Sequence, residues 1–224
     1  MAYLNTSYAY LKSAEEYVED NWVYSDSPSF SKKHLLARGA YFFLAPASLI
    51  TSAIDTIVGL GAGIGTICTA GRYPQPYKFA MNHLSSSNKL FSHLYLNFLR
   101  AINPEAPFME DGDNPPRISI NGDGFLSDLV ISPLRKTARS CYNSNNFLKR
   151  HVASRLTYAV LALSCLVTRA VDGVIGIVAA SLSILRCGKI ESLNHLAYRA
   201  LQAPGIINDL FYCIIKCINP WTGR

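Results

Sequence analysis

The chain predicts an all-α fold of two tandem helical repeats packed as a pseudo-symmetric bundle, each repeat a long apolar helix followed by a shorter amphipathic one. Three observations lead there. Phe30, Lys33, His34, Arg38, Tyr41 and Ala45 return as Phe147, Arg150, His151, Arg155, Tyr158 and Ala162. The offset is constant (151 − 34 = 117) through Asp55/Asp172, Gly59/Gly176 and Gly71/Gly188, and such self-similarity fixes the architecture before other arguments. Between its basic opening and that last glycine each copy holds about thirty mostly apolar residues, too long a run for a strand. The positions the copies share step by four and three: 34, 38, 41, 45, 48, 52, 55, 59, 62. That is the 3.5-residue period of a helix face that packs on another helix.

The four segments follow in order. Residues 1–29 read as an amphipathic helix and a loop, with Leu4, Tyr8, Leu11, Val18 and Trp22 on one face and Lys12, Glu15, Glu16 and Glu19 elsewhere. Residues 30–104 form repeat 1: an apolar block from about Leu35 to Ala70, a break at Tyr73-Pro-Gln-Pro76, and an amphipathic helix over about Asn88 to Ile102, stopped by Asn103-Pro104. Residues 105–146 form a polar linker, with a hairpin expected around Asn121-Gly122 and a short helix from near Ser132-Pro133. Residues 147–224 form repeat 2, with helices expected across Ser192–Leu201 and Ile206–Ile218 after the block. Each copy closes on Ile-Asn-Pro, at Ile102 and Ile218.

The shared stripe is polar or small, and the rest of the circumference is apolar. A helix apolar almost all round is a central core helix or a membrane helix. The helix-packing set is Asp55, Gly59, Gly63, Arg169, Asp172 and Gly176; Gly59 and Gly63 have the spacing used for close packing in membranes. On the insertion scale each Leu, Ile, Val or Phe contributes roughly −0.3 to −0.6 kcal/mol, and a central Asp or Arg costs roughly 2.5 to 3.5. The first block, with Asp55 alone against it, inserts by about 1 to 3 kcal/mol net on that scale. The second carries Arg169 and Asp172, which can pair at i, i+3. Both exceed the ~20 residues a span needs, so each is a tilted helix, a hairpin turning near the Asp, or a soluble core helix. The unbroken stripe favours the long helix.

Half of the residues are hydrophobic, 16% are charged, and the net charge is +6; mean hydropathy is +0.15. Acidic residues gather in the N-terminal segment and linker, and basic residues beside the apolar blocks, a placement suited to an anionic membrane surface. No continuous basic stripe points to nucleic acid. Residues 1–30 lack the apolar core of a cleavable signal. Lys33, His34, Arg38 and Tyr41, with Arg150, His151, Arg155 and Tyr158, stand at the mouths of the blocks. They read either as lipid-headgroup clamps with tyrosine anchors or, preferred, as a packed repeat interface.

No catalytic residue, metal or cofactor is expected. Gly59-Leu-Gly61-Ala-Gly63-Ile-Gly65 lacks the Lys-Ser/Thr and the βαβ setting of a phosphate loop. The Cys residues show no paired metal spacing, and the thiols read as reduced. The expected function is that of a non-enzymatic helical repeat protein, membrane-embedded or on a membrane surface, as scaffold or shaping factor. Anionic lipid is the expected partner, with protein partners and self-association open. The alternative is a soluble all-helical interaction module.

In style, Ala53-Ile-Asp-Thr-Ile-Val-Gly-Leu-Gly61 with Gly71, and the stretch from Leu161 to Gly188, resemble membrane-associated proteins of chlamydial bacteria, including inclusion-membrane proteins. That resemblance implies export through type III machinery and residence in the membrane of a pathogen's vacuole. Two long hydrophobic segments around a polar loop also resemble the reticulon layout, which implies curvature shaping. Neither resemblance supplies a functional residue.

Overall fold

The computed structural model describes residues 7–25, 29–106 and 125–222. Its elements are α1 (Ser7–Val18), α2 (Ala37–Cys68), α3 (Pro74–Leu84), α4 (Ser92–Ile102), α5 (Phe125–Asn143), α6 (Ser154–Leu185), α7 (Glu191–Ala200) and α8 (Ile206–Ile218). No strand occurs among the described residues. The protein is all-α.

Both apolar blocks are single helices, each entered through a π-helical turn, at Lys32–Leu36 and Lys149–Ala153. At 1.5 Å per residue, α2 and α6 are about 48 Å long. Pro46 removes one ladder donor within α2, and the helix runs through it. The stripe turns inward: Tyr41, Ala45, Ser48, Ser52, Asp55 and Gly59 are buried in α2, and Tyr158, Cys165, Arg169, Asp172, Gly176 and Ala179 in α6. Its hydroxyls are small and bond their own helix: Ser48 donates to the Ala45 carbonyl, Thr56 to Ser52 and Thr66 to Ala62. These three are satisfied while neighbours approach closely, whereas Ser52 Oγ and Tyr41 Oη on the same stripe are buried without a hydrogen-bond partner.

Each long helix turns back at a left-handed glycine, Gly71 (φ +64) and Gly188 (φ +67). The Gly71 N–H donates to the Thr66 carbonyl and the Gly188 N–H to the Ser183 carbonyl, both at 2.9 Å, the six-to-one bond of a glycine-stopped helix. The returning chain is a helix broken near its middle by a 3₁₀ turn. It is α3, Ser85–Lys89 and α4 in the first half, and α7, Ala203–Gly205 and α8 in the second. The return is antiparallel: Gly59 meets Leu84 and Tyr41 lies under the Arg100 guanidinium, while Gly176 meets Leu201 and the Arg155 carbonyl accepts from Cys217.

The two breaks touch, with Gly205 closed against the Asn88 side chain. The long helices pack on the broken ones rather than on each other. The direction of the halves follows from their ends. The Asn103 amide donates to the Cys187 carbonyl (3.1 Å), and Gly188 lies against Leu99 and Ala106. The Asn219 amide donates to the Ala70 carbonyl (3.1 Å), and Gly71 lies against Thr222. The end that holds the start of α2 therefore holds the finish of α6, and the other end the reverse. Each Ile-Asn-Pro is a stop whose Asn is bonded to the opposite half's glycine turn.

Three expectations need correction. The short helix expected near Ser132 begins at Phe125, includes Pro133 and runs to Asn143. The break at Tyr73-Pro-Gln-Pro76 opens α3, with Pro74 in its first turn, where a missing N–H costs nothing. Of the N-terminal amphipathic face, Tyr8, Leu11 and Val18 are buried. Glu15, expected on the outer side, is buried with them. Leu4 and the hairpin expected at Asn121-Gly122 lie outside the described residues.

Candidate functional site: two apolar faces and a buried polar belt

Between their basic ends α2 and α6 present outward only apolar or small uncharged side chains. Phe43, Ile57 and Ile64 on α2 are 74, 69 and 64% exposed, and Leu163, Val174 and Leu185 on α6 are 66, 63 and 78% exposed. Because each buried stripe faces the broken helices between them, the two apolar faces point away from that shared centre. Among the described residues three stretches are long and apolar enough to cross a membrane: Lys32–Cys68, Lys149–Leu185 and Glu191–Ile218. The third is the broken α7–α8 helix, more deeply enclosed than the other two.

Away from the basic openings of these stretches, Asp55, Arg169, Asp172 and Asp209 are buried and each has polar partners. Asp55 accepts from the Ser7 and Tyr8 N–H groups (3.0 and 3.1 Å), from Ser86 Oγ (3.2 Å) and from His83 Nδ1 (3.2 Å). Asp172 accepts from the Leu126 and Ser127 N–H groups (2.8 and 3.1 Å) and from Ser127 Oγ (2.6 Å). Each carboxylate therefore sits at the start of a half-length helix, α1 or α5, where orphan donors and the helix dipole favour negative charge. Arg169 does not pair with Asp172 as its spacing suggests. Its Nε and Nη2 donate to Asp209 Oδ2 at 3.0 and 2.7 Å. Arg135 approaches the other Asp209 oxygen at 3.6 Å and stands over the Tyr212 ring at 5.1 Å. With every carboxylate of the belt engaged by donors, the arrangement fixes helices rather than offering a free base.

The basic residues at the block mouths are mostly superficial. Phe30 stacks on His34 and Phe147 on His151, both at 4.6 Å between ring centres. Arg38 and Arg155 are exposed. Lys33 pairs with Glu105, and Arg150 stands 4.1 Å over the Trp221 ring. Tyr41 and Tyr158 face the protein, at 0 and 2% exposed, so their rings are core residues and not anchors at a lipid surface. Gly59, Gly63 and Gly176 do what small residues allow. A Cβ at Gly59 would lie 2.8 Å from Leu84, at Gly63 3.1 Å from the Phe211 ring, and at Gly176 2.8 Å from the Leu201 backbone nitrogen. Gly176→Ala, pressed on rigid backbone, is expected to cost about 1–3 kcal/mol, read as a lowered midpoint in chemical unfolding.

A second network was not anticipated from the sequence. Tyr8 Oη and His93 Nε2 are 2.6 Å apart, His93 Nδ1 lies 3.2 Å from Glu15, and the Asn97 amide donates to Glu15 at 2.5 Å. Tyr198 Oη reaches the same His93 nitrogen from α7, at 3.0 Å. The only signal in the sequence is the i, i+4 spacing of His93 and Asn97 on α4, with Glu15 four residues before Glu19, the partner of Arg100 (2.9 Å). Burial pushes the Glu15 carboxyl upward, but His93, Asn97 and Arg100 outweigh it and hold the group below its ordinary value of 4.5. A depressed carboxyl contributes stability above its unfolded pKa and loses it as pH falls through the folded one. Thermal midpoints are therefore expected to fall below about pH 4.5, and Glu15→Gln is expected to flatten that acid limb.

No group of three or more His, Cys, Asp or Glu able to hold a metal occurs among the described residues. The fold and side chains define a helical protein with membrane-length apolar helices. No known protein family, curated protein or solved structure matches the chain.

Proposed function

We propose that the protein is a non-enzymatic, membrane-embedded helical scaffold. One observation carries the reading: two uncharged apolar faces, each about 45 Å long, point outward on either side of a polar-cored molecule. A membrane surface covers one such face, whereas a bilayer crossed by the protein covers both. Charged groups within a span are expected to face protein, as Asp55, Asp172 and Arg169 do. Small residues at the helix contacts fit the same setting. Residence in a vacuole membrane after export is the extension suggested by the likeness to inclusion-membrane proteins.

Flotation with liposomes followed by carbonate extraction tests the proposal. Carbonate-resistant protein is the expected result; a chain that stays soluble and monodisperse without lipid or detergent overturns it. The outer positions of α1 and α5 favour the alternative, a soluble bundle whose apolar faces are covered by another protein. Glu16, paired with Lys12 at 3.2 Å, and Lys136 and Arg139 are exposed there.

A further inference from the structure

We infer that the two halves cross the bilayer in opposite senses, so that the natural thiols Cys68 and Cys187 face opposite aqueous compartments. The inference rests on the membrane reading above and adds the topology that reading leaves open. Both cysteines are exposed, and both close a long helix at its C-terminal end. Two helices threaded the same way would bring those thiols to one side, as would two re-entrant hairpins with all ends together. The structure joins the ends otherwise. Cys187 accepts from Asn103, which follows α4 beside the start of α2. Ala70, two residues past Cys68, accepts from Asn219, which follows α8 beside the start of α6. A helix of about 48 Å separates the two junctions, more than the ~30 Å hydrocarbon core of a bilayer.

Two further features agree. The helices returning along α2 and α6 are both discontinuous, and their breaks meet at mid-length through Asn88 and Gly205. Irregular backbone at membrane depth is tolerated where protein encloses it, and paired broken helices at the centre of inverted halves are a known membrane solution. The half-length helices start at that level, on Asp55 and Asp172, and run outward to opposite ends. The Glu19 side of α1 reaches Arg100, and Tyr142 of α5 reaches Trp221.

The test uses the full chain with Cys141, Cys165, Cys213 and Cys217 replaced by Ala, made in sealed membrane vesicles and first extracted with carbonate. A membrane-impermeant maleimide is added outside, and the label is counted by intact-protein mass. One label per molecule is expected, rising to two when detergent opens the vesicle, whichever way each molecule was inserted. Zero or two labels before detergent, in protein that resists carbonate, would overturn the opposite-sense crossing and leave the membrane reading standing. Release by carbonate would overturn both. Arg72→Cys with Lys189→Cys in a chain stripped of its own cysteines repeats the measurement. It places the thiols on the same two ends without relying on the natural ones, and the same counts decide.

Discussion

Asp209→Leu is expected to destabilise the protein by about 3–5 kcal/mol, because removing one partner of a buried ion pair strands the other. Here two cations are stranded. Arg169 Nη2 lies 2.7 Å and Arg135 Nη2 3.6 Å from the Asp209 carboxylate, and all three side chains are at most 4% exposed. Asp209→Asn keeps an acceptor for Arg169 but removes the charge, and should fall between wild type and Leu. The triple change Arg135→Met, Arg169→Met, Asp209→Leu removes every stranded charge and should recover much of the loss, since apolar groups of similar volume often replace buried ion pairs at little cost. Chemical unfolding in a mild detergent checks all three. A Leu variant as stable as wild type would show that the cluster does not hold α5, α6 and α8 together.

The second large effect concerns the faces. Ile57→Arg and Val174→Arg each put a charge at the middle of an outward apolar surface, where the wild-type side chains are 69 and 63% exposed. Each is expected to cost roughly 2.5–3.5 kcal/mol of insertion, on top of the apolar contribution lost. Against a net gain of only about 1–3 kcal/mol for the first block, Ile57→Arg should convert much of the carbonate-resistant pool to extractable protein. Asp55→Leu works in the other direction. It leaves membrane association intact or strengthened, but uncaps α1 and leaves four donors without their acceptor. Extractable Ile57→Arg and membrane-retained but destabilised Asp55→Leu would separate the outer face from the inner stripe. Unchanged extraction of Ile57→Arg would count against a lipid-facing role for α2.

The inward face of α2 and α6 was legible because the chain writes it twice. Positions that agree at an offset of 117 residues fall at 3.5-residue steps; the structure buries them from Tyr41 to Gly59 and, Ala162 half-buried, from Tyr158 to Ala179, while Arg38 and Arg155 at the openings stay exposed. The polar core was less legible. An amphipathic reading sends Glu15 outward, as it does any lone carboxylate among polar neighbours. Only the approach of α4, carrying His93 and Asn97, makes burial tolerable, and that contact spans about eighty residues of sequence. Arg169 shows the same limit. Its local candidate was Asp172, three residues on, but Asp172 is occupied by the start of α5, and the guanidinium turns to Asp209. Periodicity reports which side of a helix is special, whereas the partner on that side is set by how the halves meet. For the same reason Ile-Asn-Pro reads as a helix stop, while the bond of its Asn to the opposite half does not.

That reciprocal bonding bears on how the chain matures. The turn after α2 is closed by Asn219 and Thr222, which are synthesised long after it. At a synthesis rate of about 5–20 residues per second, the 151 residues between Gly71 and Thr222 take on the order of ten seconds or more to appear. For that interval the first hairpin stands with an unlatched end and one side of its returning helix bare. Whatever shelters it then, whether an insertion machine, a chaperone or the bilayer itself, is needed by the nascent protein and not by the finished one. A pulse-chase experiment should therefore find protease sensitivity at the Gly71 turn that disappears abruptly once Asn219 and Thr222 have emerged and docked.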